Sequence, residues 1–468
     1  MSKKISIGPF TRINGLWHLK VEINDNVITD AWSMGTNFRG LELILKGRDP
    51  RDAPYLTQRI CGICSSAHAL VSSRALENAF NLEVPRNGAL IKNLIFASDL
   101  VQGHIRHFYF FVIPDYIHLP ENEPFKPSYV FNERLSAKGK ERILNNYRKA
   151  AEISQSLHEM LVIFGGKTPH NHGILAGGAT VPPDADKIRL FGSMLSKAIS
   201  FIEEALMPDT EALGEAYTEY FQLGEAHKNL ITFGMFFDPD IPQENLYPSG
   251  IIRNGGREDM DKDLINEQAR YSFYENDEPL RPLEGKTIPE FQEGKPYSWI
   301  KAPRYGKDVY EMGPLARQIV RKKYNKSFSA MDRITARSLE TLEVAREMEG
   351  WLKELEPGAP VYTDFEIPSS AEGEGYLDVM RGALQHSVRV SNKKISHYQI
   401  VTPTTWNCSP RDNEGQRGAL EEALVGTPVE DPENPVEIGR VSRSLDVCGS
   451  CAVHIAGVKG LSFSQKII

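Results

Sequence analysis

The chain has 468 residues, 41% of them hydrophobic, enough to bury a substantial core. Its 54 Lys and Arg against 62 Asp and Glu leave a formal net charge of −8 with no basic cluster suited to a run of phosphates, which argues against a nucleic-acid partner. The N-terminal MSKKISIGPFTRINGLWH lacks an apolar run of signal-peptide length, and no later run is long enough for a bilayer span, so no direct membrane insertion is expected.

Along the chain, residues 1–45 alternate in a strand-like way from Leu16 to Ile23 and then reach the turn-prone Asn24, Asp25 and Asn26, which predicts an N-terminal antiparallel sheet. From about residue 66 the apolar spacing changes to three and four. Segments 67–80, 89–112, 138–164, 186–225 and 329–355 read as helices, several long enough for a bundle, and place a helical core in 46–235 and 311–356. Between 236 and 310 Pro, Gly, Asp and Glu accumulate among short aromatic fragments, as in an irregular insertion or a small extended sheet over the bundle. Short β-like runs return from 357, notably HYQIVT at 397–402. The expected fold is α+β, a single unit over 1–468 with a central bundle of long helices flanked by small mixed or antiparallel sheets from both chain ends.

Five cysteines in this length are too sparse for a disulfide scaffold, yet four of them form two Cys-x-x-Cys pairs. RICGICSSAH at 59–68 supplies Cys61 and Cys64, and DVCGSCAVH at 446–454 supplies Cys448 and Cys451. Thiolates at i and i+3 can face one centre from a tight turn, and the glycine in each motif lets backbone N–H groups approach the sulfurs. Taken alone, such a pair is also compatible with a redox dithiol or with buried apolar cysteines. Two pairs suggest a four-sulfur site for zinc or iron–sulfur by ligand preference, although a zinc ribbon sets its halves about 15–20 residues apart and these are separated by nearly the whole chain. Such a site would staple the two ends of a large fold.

The R-x-C-G-x-C-x-x-x-H and D-x-C-x-x-C-x-x-H motifs together resemble the signatures of the large, catalytic subunit of nickel–iron hydrogenases. TRINGLWHLKVEI, FRGLELILKGRDPRDAPYLTQRICGIC, HIRHFY, MRGALQH, VTPTTWN and GTPVEDPENPVEIGRVSRSLDVCGSCAVH follow the pattern of that family in order. The resemblance implies a Ni–Fe centre whose iron carries CO and CN ligands, with Cys61 and Cys448 as terminal ligands of nickel and Cys64 and Cys451 as bridges. It implies that Cys448 takes the proton of H2, that Arg381 hangs over the open metal position between Asp115 and Asp446, and that Thr404 donates to a cyanide. His68 falls where the family has a histidine beside a bridging sulfur. Glu42 and His454 fall where it ligates a Mg or Fe ion near the C-terminus. His104, His107, His170 and His172 are expected to pack or hydrogen-bond, and Cys408 to be a buried structural thiol.

The same resemblance makes 455–468 an extension removed by a maturation endopeptidase after nickel-insertion factors have acted. Reversible heterolytic cleavage of H2, in the direction of uptake, is the expected reaction; a metal-free structural subunit of a respiratory complex is the alternative, against which all four cysteines stand. With Cys408 alone left outside the motifs, too few cysteines for an electron relay, Fe–S clusters belong to a partner small subunit, which would also bring the chain to a membrane or outside the cytoplasm, a cytoplasmic location being the alternative. Three departures stand out. Asn14 replaces a glutamate that passes protons in the family, so protons would leave through water, Arg381 or Glu42, and Val447 and Met380 replace prolines beside the site.

Overall fold

Trp17, Leu19, Val21 and Ile23 are all buried on one face of a strand whose alternate residues meet solvent. In the computed structural model, which describes residues 3–119, 131–241, 244–275 and 278–452, that strand (β2, Trp17–Asn24) is the middle of an antiparallel sheet between β1 (Lys3–Ile7) and β3 (Val27–Gly35). The alternation therefore reports its true cause, one face against the core.

The helical core begins with α1 (Ser65–Phe80) and α2 (Arg86–Arg106), followed by α3 (Ala137–Gly165), α4 (Ala185–Phe201) and α5 (Ala330–Glu354). Several starts are capped as the sequence requires. Ser136 accepts from the Gly139 N–H, Asp184 from Lys187, and Ser329 forms a reciprocal capping box with Asp332. The continuous helix expected over 186–225 is instead three pieces, with a wide turn at Ile202–Leu206 before the helix Met207–Ala216, ending at Tyr217. Pro208 explains the break: it has no N–H for the preceding turn.

Helix α2 is buried on nearly every face although it carries Asn87, Lys92, Asn93, Asp99, Gln102 and His104. Each finds a partner: Asn87 donates to the Glu356 carbonyl, Lys92 pairs with Glu77, Asn93 exchanges bonds with the Phe237 backbone, Asp99 accepts from the Ser66 hydroxyl, Gln102 donates to Ser154 and His104 meets Glu340. Left unpaired, each such group would cost about 1–3 kcal/mol.

Near the C-terminal end, β4 (Ser370–Val379), β5 (Gly382–Ser391) and β6 (Lys394–Val401) form an antiparallel meander laid on α1. Gly373 and Gly375 permit the approach, since a Cβ on either would come within 2.4 Å of α1 backbone atoms. Then follow the fully buried α6 (Val436–Ser444) and the short α7 (Gly449–Ala452). The 236–310 region resolves into short strands in separate small sheets with a satellite core of Phe38, Ala269, Tyr274 and Trp299.

Candidate metal centre

Cys61 follows the short helix Gln58–Ile60, Cys64 caps the start of α1, and Cys448 and Cys451 flank the start of α7. Both motifs are thus turns that open helices. They converge: all four sulfurs lie within 4.8 Å of one another and all are buried. Cys61 Sγ is 3.6 Å from Cys448 Sγ, and Cys451 Sγ is 3.0 Å from both Cys64 Sγ and Cys448 Sγ. The Ile63 N–H approaches the Cys61 sulfur at 3.4 Å.

The N-terminal loop locks the turns together. Ser450 N–H donates to the Asn14 carbonyl at 3.2 Å, while Asn14 Nδ2 lies 3.1 Å from Cys61 Sγ and 3.4 Å from Cys448 Sγ. The two motif glycines serve different ends. A Cβ on Gly449 would stand 2.7 Å from the Leu16 carbonyl, whereas Gly62 has open space around it. Arg39 completes the clasp by donating to the carbonyls of Arg59, Ile60 and Ser450, tying both motifs to one guanidinium.

Arg381 projects from the hairpin turn between β4 and β5, and Arg317 braces that turn by donating to the carbonyls of Val379 and Met380. Arg381 Nε donates to the Asp446 carbonyl at 3.1 Å and lies 3.1 Å from the Asp446 carboxylate, leaving Nη1 buried with no partner among the described residues. Asp115 does not share this guanidinium. Its carboxylate is taken by Arg443, at 2.7 and 2.9 Å, and by Arg12. The expected pair of aspartates around Arg381 is therefore corrected to Asp446 alone. The physical reason is that an almost fully buried carboxylate is best compensated by the bidentate Arg443 on the adjacent α6.

Thr404, on the helix Pro403–Asn407, accepts the Cys448 N–H at 3.2 Å and keeps its own hydroxyl proton. His68 Nδ1 lies 3.2 Å from His386 Nε2. Glu42 is buried, accepting from the Ile400 N–H at 2.9 Å and from the Thr287 hydroxyl. His454 and the 455–468 extension lie outside the described residues. His104 and His107 hydrogen-bond, to Glu340 and to the Arg443 carbonyl, and Cys408 is buried and free.

The cluster concentrates charge on one sulfur. Burial raises the Cys448 thiol, but hydrogen bonds from Cys451, Cys61 and Cys64 and the charge of Arg381 outweigh it and hold Cys448 well below the usual thiol range. Burial and the same shared protons push Cys64 and Cys451 well above it.

A family model described as nickel-dependent hydrogenase matches residues 39–123 and 119–454. The chain belongs to the nickel-dependent hydrogenase family. It is 40% identical to the periplasmic [NiFeSe] hydrogenase large subunit of Desulfomicrobium baculatum, over 97% of this chain and 95% of that one. It is 31% identical to the hydrogenase-2 large chain of Escherichia coli K12, over 98% of both. The fold superposes on a crystal structure of the Dm. baculatum [NiFeSe]-hydrogenase with a TM-score of 0.94, at 40% identity and covering 97% of this chain and all of that one.

The residues present suit the metal centre of this hydrogenase family. Four soft sulfur donors converge in a buried site, and the unpartnered Arg381 Nη1 is an unsatisfied donor on a guanidinium within electrostatic reach of Cys448, Cys64 and Cys61. Arg39, His386 and Arg443 are absent from the expected site residues. FRG and MRGALQH contain the first two, but nothing in residue type or spacing distinguishes them from any buried Arg or His; Arg443 could have been suspected only as a charge in an otherwise buried helix.

Proposed function

We propose that this hydrogenase large subunit, which cleaves H2 at a thiolate-bound Ni–Fe centre, works in the direction of uptake. The observation that carries the reaction is the convergence of Cys61, Cys64, Cys448 and Cys451 within 4.8 Å. In our reading Cys61 and Cys448 would hold the nickel, and Cys64 and Cys451 would hold the nickel together with an iron that carries CO and CN. When bound, that centre supplies the polarisation that makes so weak an acid as H2 release a proton.

The chain's own groups do the rest. Cys448 Sγ receives the proton, in reach of the Asn14 amide and within the field of Arg381. Arg381, held by Asp446, offers Nη1 toward the substrate side of the site. Thr404 anchors the Cys448 backbone and can turn its hydroxyl proton to a cyanide. His68 stands beside a bridging sulfur, and burial of the whole cluster excludes bulk water.

Glu42 together with His454 would hold a Mg or Fe ion; burial raises the Glu42 carboxyl, so cation binding there competes with a proton. Electrons leave through Fe–S clusters of a small subunit, because Cys408 is the chain's one cysteine outside the two motifs. A maturation endopeptidase and nickel-insertion factors complete the list of partners, and 455–468 is the segment removed. Location at a membrane or outside the cytoplasm through the small subunit is supported by relatives named as periplasmic and as quinone-reactive, and no helix among the described residues is long and apolar enough to cross a membrane.

Metal analysis and infrared spectroscopy of the processed chain with its small subunit test this reading. Nickel and iron with cyanide and carbonyl bands, and H2-dependent reduction of an acceptor, are expected. Zinc alone, or no metal in active-looking heterodimer, would overturn it.

A further inference from the structure

Arg381 leaves the backbone at a two-residue turn, Met380 and Arg381, between Val379 and Gly382, which pair across β4 and β5. Two-residue hairpin turns that match the twist of their strands need a positive φ at the first central residue. Here neither Met380 nor Arg381 has one, and the positive φ, 127°, falls on Gly382. The turn is held from outside instead. It lies against Met312 and Gly313, at the start of the helix Pro314–Val320: a Cβ on Gly382 would come within 2.7 Å of the Met312 side chain and 2.9 Å of the Gly313 nitrogen, and one on Gly313 within 3.2 Å of the Arg381 carbonyl. The Ala383 N–H adds a bond to the Met312 sulfur at 3.2 Å.

The same helix carries Arg317, whose side chain is 1% exposed. Its Nε and Nη2 fork onto the two oxygens of Glu340 on α5, at 2.7 and 2.6 Å. Nη1 donates to the Asp378 carboxylate at 2.9 Å and to the Val379 carbonyl at 3.0 Å, and Nη2 reaches the Met380 carbonyl at 3.4 Å. The carboxylates are anchored in turn, since Glu340 stands 3.1 Å from His104 Nε2 on α2 and Asp378 accepts the Phe233 N–H at 2.8 Å. Charge compensation alone needs only the carboxylates. The carbonyls are a further use of the guanidinium, and they belong to the two residues that immediately precede Arg381.

At its far end Arg381 is tied to Asp446 through Nε, and Nη1 has no partner among the described residues. A long side chain fixed only at Nε still swings with its own Cα, so the aim of Nη1 depends on the turn as much as on Asp446. We propose that Arg317 is a positioning residue for Arg381: by gripping the carbonyls of Val379 and Met380 it fixes the backbone from which Arg381 reaches the four-sulfur site. The consequence for H2 chemistry rests on reading Arg381 as the group offered to the substrate; the brace does not, and the two can fail separately.

Arg317→Lys keeps the charge that Glu340 and Asp378 require and loses the fork. In the full-length, metal-free chain labelled with 15N-arginine, the Nε–H signal of Arg381, identified by its loss in Arg381→Lys, is expected to exchange with solvent about tenfold faster in Arg317→Lys than in wild type. An unchanged exchange rate overturns the proposal. In the loaded heterodimer, kcat for H2 oxidation is expected to fall on the order of tenfold at unchanged nickel and iron content, and Arg317→Lys should cost nothing further in an Arg381→Lys background. The same fold-loss in both backgrounds is the mark of a merely structural residue and also overturns it. If Arg317→Lys does not fold, Arg317→Met combined with Glu340→Gln and Asp378→Asn, which leaves none of the three charges buried without its partner, replaces it in both measurements. Arg381→Lys as active as wild type would refute the role read for Arg381, and the exchange rate would still decide the brace.

Discussion

Asn14 Nδ2 stands between two cysteines from opposite ends of the chain, 3.1 Å from Cys61 Sγ and 3.4 Å from Cys448 Sγ. An amide there can donate to sulfur but cannot carry a proton away. Asn14→Glu introduces a carboxyl at the same reach. In the loaded heterodimer it is expected to change the solvent isotope effect or the rate of H2 oxidation; identical values would mean that the position is idle in proton transfer.

Arg39 grips the backbone of both cysteine motifs through one guanidinium. Arg39→Ala leaves the carbonyls of Ile60 and Ser450 without this donor, a loss on the order of 2–4 kcal/mol for two or three charge-assisted bonds. A lower midpoint in urea and reduced nickel per chain are expected. Arg39→Lys cannot reproduce the fork and should rescue only part of either; full rescue by Lys would refute the clasp.

Asp115 compensates Arg443 and Arg12 and is nearly fully buried. Asp115→Asn strands the Arg443 charge, with an expected cost of about 3–5 kcal/mol to folding. The double variant Asp115→Asn with Arg443→Met should recover a substantial part of it. Chemical denaturation of the two variants decides, and a single variant as stable as wild type would show that the pair carries little.

Glu421 gives a pH signature of its own. Burial raises its carboxyl to about 7, against the opposing bonds from the Ser33 N–H and the Tyr297 hydroxyl and the charge of Arg411. From the ordinary 4.5 up to about 7 the folded chain keeps a proton that the unfolded chain has released. Its contribution to stability is therefore whole below 4.5 and is lost as pH rises through 7, by at most about 3 kcal/mol. Glu421→Gln should flatten the stability profile across that window, and a profile as steep as wild type would exclude Glu421 as its source.

Much of this architecture could be read from residue order. The alternation through Trp17, Leu19, Val21 and Ile23 and the three-and-four spacing of the long helices each report a single buried face, which is the pattern that periodicity detects. Helix α2 departs from that picture, because its apparently wet positions are buried and paired with partners from distant segments such as Phe237 and Glu340. The same limit hid the partner of Asp115 and the roles of Arg39 and His386. A cysteine announces itself by type and spacing, whereas an arginine is defined by what comes to meet it. The break at Pro208 was legible in principle, and the paired short strands of 236–310 were not, since few residues in each carry any period.

The pairing of Cys61 with Cys448 spans 387 positions. During synthesis, the first two thiols leave the ribosome long before their counterparts exist, and the loop around Asn14 and Leu16 must wait with them for the strand of chain that fills it. Contacts of such long range are entropically late. Translation that stalls short of Cys448 would thus leave an open seam with the two sulfurs of Cys61 and Cys64 unprotected and oxidisable at its floor.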